Sequence, residues 1–522
     1  MTKIRDIFNY IIALCLFAAS LVVLAVSSFT TIYYDMGSEN DWPHYGKENI
    51  LLLVVLLAAV MGLFFFLYKG KVFEKYSRQL MLGGLLFVLF YCLLLILVIV
   101  PQAVNDSKTL DDIINEFVAG NYSSLTQPGG YLFTWPFQLG YVGFGQIMAL
   151  VFGPSNYFAW DMLQMICILV TVFLIYRITR ELFEDETVCG IAALLSCGAL
   201  FFYNYVTYIY GDIISMAPQT LALYMMILFV KRDKVRYALI SALSIAAAVL
   251  IKTNCEVTLI ALVMVLIVSS IPASDGVQKK MPGKKTLTRL LLAALFVAVT
   301  MIFKSAVNTY YCGLTGLSSI PEGNPAWAHI AMGLQESDLE DGWYNGYNYH
   351  VFEENGYDSK ATAIAARDNI SNTLESFVKN PVRGLRFFAR KFATQWADSV
   401  CISTHNLDLV SRHVDKNSAF RDYLVFGSDK GCPVLIWIMN VFMPVCYMGV
   451  AIYLFALLKG RKASPQEMLL LILIFGGIVF HEFWEGSSRY VMRYYIYWLP
   501  YAAYGIGRLL EGLKTSRIKN HG

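Results

Sequence analysis

Long apolar runs separated by short charged turns dominate this chain. They lie at roughly 9–33, 49–68, 79–100, 157–176, 187–203, 213–230, 237–251, 255–271, 287–305, 433–458, 467–483 and 490–510. Most have the length, about 17–25 residues, that carries an α-helix across ~30 Å of hydrocarbon. The first, Tyr10 to Tyr33, lacks the small-residue cleavage site of a signal peptide and is expected to remain as a span. A thirteenth run, 131–152, differs in kind. Gly129-Gly-Tyr-Leu-Phe-Thr-Trp135-Pro136-Phe-Gln138 mixes aromatics with helix breakers, the composition of a segment lying in the interface.

Basic residues decide how that run is placed. Lys and Arg in short loops collect on the cytoplasmic side. Lys3 and Arg5 put the amino terminus there, and Lys69, Lys71, Lys75 and Arg78 return there after two spans. If 131–152 crossed the bilayer, Lys231, Arg232, Lys234 and Arg236, and Lys279, Lys280, Lys284, Lys285 and Arg289, would all face outward. If it is juxtamembrane or re-entrant, every basic cluster is cytoplasmic, including Lys459, Arg461, Lys462 and the tail Lys514, Arg517 and Lys519. The second arrangement predicts twelve spans with both termini inside. The outer face then collects 35–48, 101–131, about 204–212, the Lys252-Thr-Asn turn, 306–432 and 484–490.

Composition agrees with this class. The chain is 57% hydrophobic and 15% charged, with a mean hydropathy of +0.53, outside the range of ordinary soluble domains. The net charge of +3 reflects topology signals in short loops and gives no reason to expect nucleic acid. Most of the ten cysteines lie in apolar runs and read as small hydrophobic residues. Cys312, Cys401 and Cys432 share one loop without metal-ligand spacing; a Cys401–Cys432 bridge is one option. The expected fold is an all-α polytopic bundle. Residues 1–305 form a transmembrane module with first outer loop 101–131 and interfacial segment 131–152. Residues 306–432 form an extracytoplasmic loop domain, and 433–522 the last spans and a basic tail. Within the loop domain, helical patterns cover roughly 360–378 and 382–399, divided by Asn380-Pro381, with Pro opening the second helix. The basic, aromatic stretch Arg383 to Phe392 fits either a helix resting on anionic lipid or an ordinary solvated face. There is no internal repeat.

Polar residues in the outer-face loops are the candidates for chemistry. Asp106, just past the third span, could take a proton from an acceptor hydroxyl during transfer of a sugar; capping the next helix is its alternative. Asp111, Asp112 and Glu116 fit the solvated face of that helix. Asp212 closes the tyrosine-rich run Tyr203 to Tyr210-Gly211-Asp212, either lining a sugar site or capping a helix. The stretch His481-Glu482-Phe-Trp-Glu485-Gly-Ser-Ser-Arg489 places costly charges at an outer hairpin. There Arg489 suits a phosphate, since a guanidinium can bind two of its oxygens. Lys252 is a second phosphate contact or a snorkelling side chain.

The order of these features resembles the large membrane glycosyltransferases of the GT-C fold, in the branch with protein O-mannosyltransferases and the aminoarabinose transferases of lipid A. The resemblance rests on Asn105-Asp106 with Gly120-Asn-Tyr122, on Gly130-Tyr131…Trp135-Pro136-Phe-Gln138-Leu-Gly140 through Leu150-Val-Phe-Gly153, on Tyr210-Gly211-Asp212, and on Trp484-Glu485…Ser488-Arg489-Tyr490. It implies a polyprenyl-phosphate sugar donor used at the extracytoplasmic face and a glycan, lipid or protein acceptor. It also implies Asp106 as the catalytic base; Asp212 is expected as a second catalytic carboxylate that orients acceptor or sugar. Arg489, Lys252, Tyr210, Gln138 and Glu485 are the expected substrate or phosphate contacts. The family's acidic pair often reads Asp-Glu, whereas Ser107 follows Asp106 here. No ligand cluster demands a metal, although a divalent ion would be compatible. A flippase for lipid-linked glycans, or a glycan polymerase or ligase using a lipid-diphosphate oligosaccharide, are the competing expectations.

Overall fold

The computed structural model describes residues 2–271, 283–413 and 433–519. The first half runs α1 (Thr2–Phe29), β1 (Thr30–Tyr34), β2 (Pro43–Lys47), α2 (Ile50–Lys69), α3 (Ser77–Ile99), α4 (Asn105–Val118), α5 (Leu139–Phe152), α6 (Tyr157–Phe183) and α7 (Glu186–Cys197). Then follow α8 (Gly211–Arg232), α9 (Val235–Ile251), α10 (Glu256–Ser269), α11 (Gly283–Thr315), α12 (Ser359–Lys379), α13 (Pro381–Trp396), α14 (Pro433–Leu458), α15 (Pro465–Phe483), α16 (Ser488–Tyr495) and α17 (Leu499–Lys519).

This is an all-α polytopic membrane protein. Among the described residues eight helices are long and apolar enough to cross a bilayer: α1, α2, α3, α6, α8, α11, α14 and α15. A ninth forms if α7 and Leu200–Thr207, bent by 49°, count as one broken span. The other three expected spans are the short α9 and α10, which meet at Lys252, and the last helix, interrupted by a 3₁₀ turn at Ile496–Trp498. The run 131–152 breaks into a four-residue helix, a 3₁₀ turn at Pro136–Gln138 and α5. At about 1.5 Å per residue α5 is too short to span.

The expected first span is cut back by its own sequence. Thr30-Thr31-Ile32-Tyr33-Tyr34 is β-branched and aromatic, and it leaves the helix at Phe29 to pair antiparallel with Pro43–Lys47, Tyr34 opposite Pro43. Helix α11 runs past residue 305 to Thr315. Cys401 is buried with a free thiol; Cys432, Lys279 and Lys280 lie outside the described residues. The α12–α13 pair forms where expected, with Asn380 Oδ1 accepting from Arg383 N at 3.2 Å.

Close helix contacts depend on missing side chains. A Cβ on Gly449 would stand 2.3 Å from the Ala502 carbonyl oxygen where α14 crosses α17. The same device assembles the polar centre: a Cβ on Gly140 would meet the Leu250 carbonyl at 2.3 Å, and one on Gly211 the Ile251 carbonyl at 2.6 Å. Both glycines bring their segments onto the end of α9, one residue before Lys252.

Candidate active site

Because α5 and α8 converge on the end of α9, Gln138, Tyr210, Asp212 and Lys252 meet although they are distant in sequence. Gln138 Nε2 donates to the Tyr210 hydroxyl at 2.6 Å. The Lys252 ammonium stands 4.0 Å from the centre of the Tyr210 ring and 3.3 Å from Asp212 Oδ2. Asp212 Oδ1 accepts from Arg493 Nη2 at 3.2 Å. Asp212 is 2% exposed, Lys252 8% and Arg493 1%, so this is a desolvated ion triad. Burial lowers the Lys252 pKa to about 8, opposed by the Asp212 carboxylate.

Helix α16 delivers the second cation. Arg489 Nη1 donates to the Tyr208 hydroxyl at 2.8 Å and Nη2 to the Tyr490 hydroxyl at 3.3 Å. Its guanidinium lies 5.5–5.6 Å from the ring centres of Tyr208 and Tyr210. Among the described residues no carboxylate forms an ion pair with it; Glu485 reaches it through the Tyr490 hydroxyl. Glu485 accepts from the Tyr490 hydroxyl at 2.8 Å. Burial raises the Glu485 pKa, with Asp106 adding to the effect and the Tyr490 hydrogen bond and Arg489 opposing it.

Asp106 stands exposed in the first turn of α4. The capping role falls to its neighbour: Ser107 Oγ accepts from Val104 N at 2.9 Å and donates to Val104 O at 2.7 Å. Among the described residues the Asp106 carboxylate makes no hydrogen bond or ion pair. Burial raises the Tyr131 and Tyr210 hydroxyls, and Asp106 adds to both shifts. Gln138, Tyr210, Asp212, Lys252, Arg489 and Glu485 are thus joined by contacts, directly or through Tyr490, whereas Asp106 makes none of them.

One expectation for the flanking helices needs correction, and a second gains a detail. Asp111 is not on a solvated face: it is 5% exposed and accepts from Ser155 Oγ and the Tyr157 hydroxyl, both at 2.8 Å, tying α4 to the start of α6. Helix α13 exposes Val382, Arg383 and Leu385, yet Lys391 on its other face is fully buried. Its ammonium donates to the carbonyls of Gly333, of Glu482 at 3.1 Å and of Trp484 at 2.7 Å, fixing the turn that leads to Glu485.

Arg493 and Asp398 had no assigned part in the sequence. Arg493 Nη1 also reaches Gln219 Oε1 at 3.1 Å and Cys255 Sγ at 3.2 Å. Asp398, fully buried, accepts from Ser488 Oγ at 2.6 Å, the Tyr34 hydroxyl at 2.8 Å and the Val400 and Ile402 amides at 2.9 and 3.1 Å. It thereby anchors the start of α16. The available signal for Arg493 was its spacing: four residues after Arg489, it lies on the same helical face. Among the described residues no group of three His, Cys, Asp or Glu side chains could hold a metal ion.

A family model described as dolichyl-phosphate-mannose-protein mannosyltransferase matches residues 144–303. Over that segment the resemblance read from the sequence is borne out. The matched stretch contains Asp212 and Lys252 but neither Asp106 nor Arg489. No curated protein matches the chain. Among solved structures, the crystal structure of ArnT from Cupriavidus metallidurans in the apo state is similar at 9% identity, covering 81% of this chain and 76% of that one, with a TM-score of 0.31. The same protein bound to undecaprenyl phosphate shows 14% identity, coverage of 83% and 78%, and a TM-score of 0.31. So loose a superposition carries no argument about individual residues.

Proposed function

We propose that the chain transfers a sugar from a polyprenyl-phosphate donor to a hydroxyl acceptor at the extracytoplasmic membrane surface. One observation carries the reading: the Arg489 guanidinium, without a carboxylate ion-pair partner among the described residues, and the Lys252 ammonium both stand against Tyr210, two cations placed to hold a phosphate. Asp106 takes the proton of the acceptor hydroxyl while that oxygen bonds to the anomeric carbon. The bond from that carbon to the phosphate oxygen breaks, and its electron pair leaves on the polyprenyl phosphate. Arg489 and Lys252 face the charge that develops on the phosphate. Asp212 has both oxygens engaged by Lys252 and Arg493, so its part is to align Lys252 and not, as expected from the sequence, to orient acceptor or sugar. The mannosyltransferase match over 144–303 supports the glycosyl-transfer class. Basic clusters on the predicted cytoplasmic side support the placement of the site outside.

The phosphate contact is tested by donor binding. Removing one partner of a desolvated charge pair costs about 2–5 kcal/mol, so Arg489→Ala should weaken binding of a polyprenyl-phosphate sugar by well over tenfold. Arg489→Lys should retain part of the affinity, since it keeps the charge without the planar fork. Wild-type binding by Arg489→Ala would remove the arginine from the site.

A pH dependence follows from Lys252. With its pKa lowered to about 8 by burial, it is charged below that pH and neutral above it. The free enzyme's kcat/KM should therefore fall as pH rises through about 8. In Lys252→Arg, whose guanidinium stays charged, that limb should be absent. A descending limb at the same pH in the arginine variant would assign it to another group.

A further inference from the structure

A cavity beside the site has no part in the mechanism above. It measures about 210 Å³ and lies between the turn before α5, the end of α9, α11 and the loop after α11. Its walls are fastened to one another. Asn324 N donates to the Thr134 carbonyl at 2.9 Å, and a Cβ on Gly323 would stand 2.3 Å from Pro136 Cδ, so the loop closes tightly on the turn. Helix α11 is pinned to α5 by the Tyr311 hydroxyl, which donates to Gln146. The cavity is therefore a built part of the fold. It also adjoins the site: Phe137 in its wall precedes Gln138, and Thr253 follows Lys252.

The lining has two characters. Phe137, Pro136 and Pro321 present flat apolar faces, and Phe137 is 46% exposed. Lys304 and Asn308, one turn apart on α11, and Thr253 present an ammonium, an amide and a hydroxyl. Among the described residues neither the Asn308 amide nor the Thr253 hydroxyl makes a hydrogen bond, so both are open to a ligand. Lys304 donates to Glu256, and with its charge matched the cavity holds no net positive charge to draw in an anion. Pockets for drug-sized ligands run from about 300 Å³ upward, so this one suits a single small unit. A monosaccharide has the matching chemistry: apolar C–H faces, and edge hydroxyls that both donate and accept.

We propose that this cavity is an acceptor subsite that takes one saccharide unit of a glycan acceptor, with the ring against Phe137 and its hydroxyls on Asn308 and Thr253. The inference rests on the glycosyl-transfer reading above and narrows the acceptor to a glycan.

The test uses the full-length protein in nanodiscs and the octyl glycosides of mannose, glucose, galactose and N-acetylglucosamine, with binding read by saturation-transfer NMR. At least one glycoside should bind the wild type. Asn308→Ala should weaken that binding about 2- to 10-fold, the worth of one hydrogen bond, and Phe137→Ala at least as much. With polyprenyl-phosphate mannose, or whichever polyprenyl-phosphate hexose of a panel the wild type consumes, Asn308→Ala should raise the KM for the glycoside and leave the KM for the donor unchanged. A merely structural loss would move both. No glycoside binding to the wild type, wild-type binding in both variants, or transfer confined to a threonine peptide or to phosphatidylglycerol would overturn the inference and leave the transferase reading intact. No cleavage of any donor by the wild type would overturn both.

Discussion

Replacing Asp106 by asparagine is expected to lower the transfer rate by about 10²–10⁴-fold, the contribution of a positioned general base, while donor binding and expression stay close to wild type. The expectation of intact folding has a structural basis. Ser107, not Asp106, closes the first turn of α4, and the Asp106 side chain is exposed without a protein partner among the described residues. A substitution there removes no contact that holds the fold. Its effect should therefore appear in turnover and not in the melting temperature. Single-turnover measurement with saturating polyprenyl-phosphate sugar separates the two. Wild-type turnover in purified Asp106→Asn would remove this residue from the chemistry.

The opposite signature is expected of Asp212→Ala. Its carboxylate stands between the ammonium of Lys252 and the guanidinium of Arg493, all three almost wholly buried. Deleting it leaves two neighbouring cations uncompensated, and breaking a buried pair in this way costs about 3–5 kcal/mol. Thermal unfolding in detergent should show a clear loss of stability, accompanied by loss of donor binding as Lys252 is displaced. Adding Lys252→Met to Asp212→Ala should restore part of the stability, because it removes one of the two stranded charges. If Asp212→Ala unfolds like the wild type, the triad contributes little to the structure.

These two carboxylates show how far the sequence could be read. Both lie at ends of apolar runs, where charge is conspicuous, so their selection needed only hydropathy and sidedness. Their different surroundings did not follow from that pattern. Asp212 is enclosed because Gly211 lets α8 approach the Ile251 carbonyl and because Arg493 arrives from the far end of the chain. Neither event leaves a local signature. Lys391 and Asp398 escaped for a related reason. Their long loop has helical periodicity but gives no sign that an ammonium and a carboxylate turn inward to bind backbone groups and tether α16. Periodicity alone places Asp111 on a polar face, whereas Ser155 in the loop before α6 and Tyr157 at its start fold over that face and supply two hydroxyls. The spans themselves were legible because backbone groups in hydrocarbon must be satisfied within a helix. Their ends were less so: at Phe29 the preference of a β-branched, aromatic segment for strand pairing ends the helix early.

Consumption of a lipid-monophosphate sugar is tested with purified protein in liposomes, radiolabelled polyprenyl-phosphate sugars and a mixture of extracted envelope acceptors, monitoring release of free polyprenyl phosphate. Wild-type protein should release polyprenyl phosphate with label moving to an acceptor, and Asp106→Asn should not. Consumption of lipid-diphosphate oligosaccharide alone, or movement of intact donor across the bilayer without cleavage, would contradict it.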